Sequence, residues 1–244
     1  MARTDTLGNF LTDVCDAVRE VNGETGKIKV SELDTKIAGL SGGDEPEKGI
    51  IITEWNSDGY PTVVKIKNMT SIPSYAFYNY ASYAGIFTKL VTINLPEGLP
   101  EIGNNTFYNC AKLVITEIPS SVTKLGNSAF SNCTSLTSMT IKGNITYMDN
   151  AVFRECSNLE EVIFEGSATG IQNTVFYNCK KLTKVVFRNN TEVPTLNSSN
   201  SFTSTPIADG TGYIYIADSL VETMKTASQW ITYANQIKPL SELQ

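Results

Sequence analysis

A period of 23 residues governs this chain. Ile102, Leu125, Met148 and Ile171 stand 23 apart, and each is followed five residues later by a phenylalanine: Phe107, Phe130, Phe153 and Phe176. Three residues on comes a cysteine (Cys110, Cys133, Cys156, Cys179), and three further a leucine (Leu113, Leu136, Leu159, Leu182). A unit this short cannot bury its apolar set alone, so self-similarity at this period means stacked units that share one continuous core. The chain is therefore expected to fold as a repeat solenoid. Function has to be sought on the faces of that solenoid, because the repeated positions are committed to packing.

Within the third unit the repeated positions are Val122, Leu125, Phe130, Cys133, Leu136, Met139 and Ile141. The stretch from Leu136 to Ile141 alternates as a short strand with apolar side chains inward. The segment Asn127–Cys133 reads as a helical turn, with Phe130 and Cys133 three apart on one side. Asn79, Asn109, Asn132 and Asn178 each follow the phenylalanine by two, an amide column expected to satisfy the turn's backbone, interrupted by Glu155. A first unit begins at Met69, Ile72 and Phe77, with Tyr80 in the cysteine position and a seven-residue insertion before Leu90.

The flanks differ from the repeats. Leu7, Leu11, Val14, Val18 and Val21 follow a 4-3-4-3 spacing with Phe10 beside them, predicting an amphipathic helix with a coiled-coil-like seam. A second short helix opens at Ser31 and closes near Gly39. Residues 1–40 thus form a small helical module, expected to oligomerise (a trimer favoured) or to dock on another protein, or else to cap the first rung. Residues 41–49 have linker composition. Residues 50–68 carry two β-branched runs around Asn56-Ser57-Asp58-Gly59, a hairpin signal. About five repeats fill residues 69–192, and a capping segment fills 193–244.

Composition narrows the chemistry. The sequence contains no histidine, which removes Ser-His-Asp and Cys-His nucleophile systems and the commonest metal ligand. No Cys-x-x-Cys pair occurs, so the phased cysteines read as a reduced, buried ladder, and neither metal nor cofactor is expected. Glu160 and Glu161 are adjacent and would point to opposite faces of a strand, a poor acid–base pair. The chain is expected not to be an enzyme. A net charge of −6 argues against nucleic acid. No run is long and apolar enough to span a bilayer, and Met1 opens no secretory leader.

Two surface columns remain. Lys142, Glu165 and Arg188 fall in phase, as do Glu161 and Lys184, placing opposite charges on neighbouring rungs as register pins. Aromatics give the stronger indication of binding. The residue after each repeat phenylalanine is Tyr78, Tyr108, Ser131, Arg154 or Tyr177, and the first unit adds Tyr75, Tyr80, Tyr83 and, in its insertion, Phe87. Tyr75, Tyr78, Tyr80, Tyr83, Phe87, Tyr108 and Tyr177 are the candidate ligand-binding residues, because exposed tyrosines offer rigid contact area with a polar tip. The same column would equally shield the turns beneath it.

The repeat resembles the BspA-like leucine-rich repeats, whose units run Val-x-x-Ile, then Ala-Phe-x-x-Cys-x-x-Leu, then Val-x-Ile-Pro. Ile118-Pro119-Ser120-Ser121-Val122 and Ala129-Phe130-Ser131-Asn132-Cys133 carry the likeness. Tyr213–Asp218, Trp230 and Ile237-Lys238-Pro239 resemble that family's closing segment, so the likeness covers about residues 62–244. It implies a parallel-stranded solenoid with helical turns, of a kind usual on bacterial and protist cell-surface binding proteins and adhesins. Leu7-Gly8-Asn9-Phe10-Leu11-Thr12-Asp13-Val14-Cys15-Asp16-Ala17-Val18-Arg19, with Gly26–Val30 and Ile37-Ala38, is similar to the N-terminal module of tail and fibre proteins in phages and prophages of Gram-positive bacteria. That second resemblance implies a virion protein made in the host cytoplasm. Its partners would be other tail or baseplate proteins and a host cell-surface glycan or protein. The alternatives are a purely structural virion component or a bacterial surface adhesin.

Overall fold

The computed structural model of the chain describes residues 49–57, 61–67, 69–72, 74–78 and 86–243. The helical module of residues 1–40, with Leu7, Phe10, Leu11, Val14, Val18 and Val21, lies outside the described residues, as do Tyr80 and Tyr83. The chain enters through β1 (Gly49–Trp55) and β2 (Pro61–Lys67), paired antiparallel with a register shift near Glu54. From there on every described pairing is parallel. β3 (Thr92–Asn94) lies beside β2.

Each rung then contributes two strands to two parallel sheets. The short strands β4 (Glu101–Ile102), β6 (Lys124–Leu125), β8 (Tyr147–Met148), β10 (Gly170–Ile171) and β12 (Thr195–Leu196) form one sheet in that order. The other consists of β5 (Glu117–Ile118), β7 (Ser138–Ile141), β9 (Glu161–Phe164), β11 (Lys184–Phe187), β13 (Tyr213–Ile216) and β14 (Ile237–Pro239). Register follows the sequence period: Met139 opposes Val162 and Val162 opposes Val185, each 23 residues on. In β7 and β9 burial alternates along the strand, inward Met139 and Ile141 against half-buried Ser138 and Thr140, as the period of two requires.

The core is a single column of repeated side chains. Phe107, Phe130, Phe153 and Phe176 are fully buried, with ring centroids 5.0, 5.4 and 5.9 Å apart and planes nearly parallel. Phe77 extends the stack at one end, 5.2 Å from Phe107, and Phe202 at the other, 5.3 Å from Phe176. The repeat therefore runs on past residue 192, hidden in the sequence because Phe202 follows Phe176 by 26 residues rather than 23. Thr205 takes the cysteine position there, buried, its hydroxyl donating to the Phe202 carbonyl at 2.7 Å.

A helix and a tryptophan close the far end. α1 (Val221–Thr226) buries Val221 and Met224, and the Trp230 indole N–H donates to the Pro194 carbonyl at 2.6 Å. Trp230 packs against Phe202, the end of that stack, and against Phe187, which itself stacks on Phe164 at 4.9 Å. β14 carries Pro239, which cannot donate to a further strand and so blunts the sheet edge.

Rungs approach closely where the chain leaves β7 and β9. Gly143 sits so near Val122 that a Cβ there would lie 1.8 Å from its carbonyl oxygen, and Gly166 stands 2.2 Å from the Gly143 oxygen by the same measure. Only glycine fits these corners.

Candidate functional site

The last rung has a 3₁₀ turn, Ser199–Phe202, but in the rungs of Phe107, Phe130, Phe153 and Phe176 the segment between the two strands is not helical, contrary to the sequence reading. It is a run of tight turns in which two residues per rung take left-handed backbone, flanking the phenylalanine on either side. Before it stand Asn105, Ser128, Ala151 and Thr174, with φ of 53, 53, 57 and 54°. After it stand Asn109, Asn132, Glu155 and Asn178, with φ of 60, 61, 62 and 60°. Asparagine recurs there because it tolerates left-handed backbone better than other side chains. This conformation, rather than an amide stack, explains the column.

The left-handed turns aim alternate peptide groups along the solenoid axis. Asn105, Phe107 and Asn109 donate their N–H groups to the carbonyls of Asn127, Ala129 and Ser131 one rung on, each at 2.8 Å. Ser128, Phe130 and Asn132 repeat the pattern to Asn150, Val152 and Arg154. A third ladder thus joins the rungs, and the turn face is as firmly built as the sheets.

Each cysteine side chain serves the same purpose. Cys133 Sγ donates to the Phe107 carbonyl at 3.1 Å, Cys156 to Phe130 at 3.1 Å, Cys179 to Phe153 at 3.0 Å and Cys110 to Phe77 at 3.2 Å. Burial pushes all four thiols up, Cys156 to about 12, so thiolate chemistry is suppressed. Among the described residues all four are free thiols, and no group of three or more acidic or thiol side chains is placed to hold a metal ion.

The charge pairs are partly as expected. Lys184 meets Glu161 at 3.1 Å, the predicted step. Lys142 instead reaches Glu117 at 2.6 Å, on the preceding rung of the same sheet. Lys124 and Glu101 form a further cross-rung pair at 3.1 Å.

The tyrosines come together at the start of the turn face. Tyr75 and Tyr78 meet edge to face, 5.3 Å between centroids and 72° between planes. Tyr78 stacks on Tyr108 at 5.1 Å and 29°. Tyr75 is 58% exposed, and its φ of 65° places it at the left-handed position that Asn105, Ser128, Ala151 and Thr174 fill on later rungs. A bulky aromatic in that conformation is an outlier, and such strain concentrates where a side chain is held for recognition. Its backbone is tied down nonetheless: Tyr75 N–H donates to Asn104 O at 2.9 Å, and Tyr78 N–H to Tyr75 O at 3.2 Å.

Phe87 does not belong to this surface. It is only 4% exposed and packs edge-on against Phe77 at 4.9 Å, so the end of the insertion supplies core. Tyr177 lies three rungs further along the same column, where the Arg154 guanidinium sits 5.1 Å over its ring and also pairs with Glu155 at 3.1 Å. Ser131, between them, is buried. The column is therefore two aromatic patches separated by a small-residue step. Asn104, exposed and with its amide oxygen accepting from Asn127 N–H at 2.8 Å, borders the first patch. Its position two residues after each short strand was the available sequence signal. Tyr213 and Tyr215, outward on β13 with centroids 6.4 Å apart, were likewise legible from their alternation with buried Ile214 and Ile216. Among the described residues no helix is long and apolar enough to cross a membrane.

Two parallel ladders, a turn ladder and one apolar column per 23 residues define a leucine-rich-repeat solenoid. Residues 70–206 match the BspA type leucine-rich repeat region in six copies, and the chain belongs to that family. Similar solved structures include a leucine-rich repeat protein of Bacteroides ovatus, 26% identical, covering 65% of this chain and 44% of its own, at a TM-score of 0.49. Another is a leucine-rich repeat protein of Eubacterium ventriosum, 20% identical, covering 64% of this chain and 40% of its own, at 0.48. The leucine-rich repeat protein of T. pallidum is 18% identical, covering 54% of this chain and 77% of its own, at 0.37. The chain thus spans less than half the length of the first two. No curated protein matches it.

Proposed function

We propose that this chain is a non-enzymatic binding protein that recognises a host cell-surface ligand through Tyr75, Tyr78 and Tyr108. We further propose that a phage or prophage tail carries it as a fibre or baseplate component. The observation that carries the binding reading is Tyr75, an exposed aromatic held in left-handed backbone where every later rung has a smaller residue. The Tyr75 ring meets Tyr78 edge to face and stays largely exposed, which suits recognition better than packing. The absence of histidine supports a role without nucleophilic catalysis. The tail reading is supported by the resemblance of residues 5–40 to tail-fibre N-terminal modules. A particle bearing several copies would gain avidity from individually weak sites.

The binding test is retention of the labelled full chain on a panel of Gram-positive bacteria. Tyr75→Ala and Tyr78→Ala are expected to weaken retention by about 2 kcal/mol each, roughly 30-fold, as for central aromatic anchors. Tyr177→Ala, whose ring already holds Arg154, is expected to cost far less. A chain retained by no cells would favour a purely structural virion role. The tail reading is checked separately by light scattering. The full chain is expected to form a trimer, and a truncation starting at Ile50 a monomer; monomers in both cases would count against a fibre handle.

A further inference from the structure

We infer that the ligand of the Tyr75–Tyr78–Tyr108 patch is an uncharged carbohydrate; this rests on the binding role proposed above. The first argument is electrostatic. Residues 68–88, which supply Tyr75 and Tyr78, contain no Asp, Glu, Lys or Arg, and neither do residues 102–111, which supply Tyr108, nor residues 125–141 beyond them. In a chain with 18% charged residues, these three stretches are uncharged runs. The nearest ionic groups along the column, Arg154 and Glu155, neutralise one another. Lys89 and Lys112 bound these runs, but no cation stands among the residues that carry the tyrosines. An anionic polymer such as a phosphate-bearing wall chain thus gains little from the patch itself, and a protein partner finds few charges to orient it.

The second argument is shape. Tyr75 and Tyr78 stand 72° apart, so the pair offers a ring face and a ring edge side by side. A sugar ring presents an apolar C–H face and a belt of hydroxyls. The tyrosine face matches the former; phenolic groups and planar amides match the latter, each both giving and accepting hydrogen bonds. Asn104 is placed for that task. Its oxygen is engaged by Asn127 N–H, which anchors the amide of this exposed residue beside the tyrosines. Its own N–H donates to Ser74 Oγ at 3.1 Å, tying the amide-bearing residue to the rung that carries Tyr75. The patch is preorganised by backbone bonds, so binding orders little and a neutral ligand with few strong contacts suffices.

The experiment uses cells that retain the full chain, treated with mild periodate to cleave sugar diols or with a broad protease to strip proteins, then assayed in low and high salt. Retention is expected to fall at least about tenfold after periodate, to survive protease, and to be unchanged by salt, because no charge pair contributes. Tyr75→Phe, which keeps the ring, should retain most of the binding that Tyr75→Ala loses, with both variants melting as the parent does. Loss after protease, or loss in high salt, while Tyr75→Ala still binds poorly, overturns the carbohydrate and leaves the tyrosine site standing. Tyr75→Ala retained as well as the parent overturns the site itself, and the carbohydrate with it.

Discussion

At the level of single residues, the repeat is held by backbone conformation as much as by apolar burial. Asn132 has φ of 61° and its N–H bonds to Arg154 O on the next rung, so a β-branched residue there would strain the turn and loosen the ladder. Asn132→Val is expected to lower unfolding stability by about 1–2 kcal/mol and Asn132→Gly to be near neutral or stabilising, compared by urea titration. Cysteine is retained in its column because it is small, apolar and still able to donate to the phenylalanine carbonyl beneath it. Cys133→Ala removes the sulfur's contacts and that bond together, at an expected cost of about 1–2 kcal/mol on the same measurement. With Cys15 replaced by serine, the four column thiols should react with a disulfide reagent no faster than the protein unfolds, because burial holds them protonated. Prompt reaction of any of the four at neutral pH would contradict that packing.

At the level of elements, strands and turns differ in how openly the sequence declares them. Met139 and Ile141, two apart, point inward from β7, and that period of two reads directly as strand. The turn around Phe130 has its apolar residues three apart, which mimics one helical turn, while the left-handed residues that separate it from a helix are written as Asn, Ser, Ala, Thr and even Glu. Only the recurrence of asparagine hinted at them. The Lys142–Glu117 pair was misplaced for a related reason: in-phase residues share a column, but a long side chain also reaches diagonally along the sheet. Loops between rungs carry their own pins. The Glu97 carboxylate accepts from Ser120 N–H at 3.2 Å, Ser120 Oγ at 3.0 Å and Ser121 N–H at 3.1 Å, and these bonds, the Ser120 backbone one first, hold its pKa below the ordinary glutamate value. A lowered folded pKa means the stabilisation is complete above that ordinary value and lost as pH falls through the folded one. Glu97→Gln should therefore melt lower than the parent at neutral pH, and the two midpoints should converge on acidification; a gap that widens in acid would refute the assignment. At the corner of β7, Gly143→Ala should cost more than about 2 kcal/mol, since backbone rather than a movable side chain blocks the new Cβ.

For the molecule as a whole, the solenoid and its core were legible because repetition multiplies a weak signal: every phenylalanine, cysteine and leucine that set the period is buried. The proposed binding surface was less so, because only the first two rungs supply it and no later rung repeats the cluster. Tyr75, Tyr78 and Tyr108 stood out by residue type alone. Their mutual contact, the exclusion of Phe87 to the core, and the reservation of Tyr177 by Arg154 required the three-dimensional arrangement. Two outward tyrosine groups now compete for the ligand, Tyr75 with its neighbours on the turn face and Tyr213 with Tyr215 on the outer face of the six-stranded sheet. Tyrosine nitration separates them in one measurement, because both Tyr75 and Tyr213 are solvent-exposed, at 58% and 39%. The full chain would be nitrated free and bound to wall fragments of cells that retain it, and the modified peptides quantified by mass. Protection of Tyr75 with Tyr213 still reactive is the expected result, and places the ligand on the turn face. Protection of Tyr213 with Tyr75 still reactive would put the ligand on the sheet and contradict the site derived above.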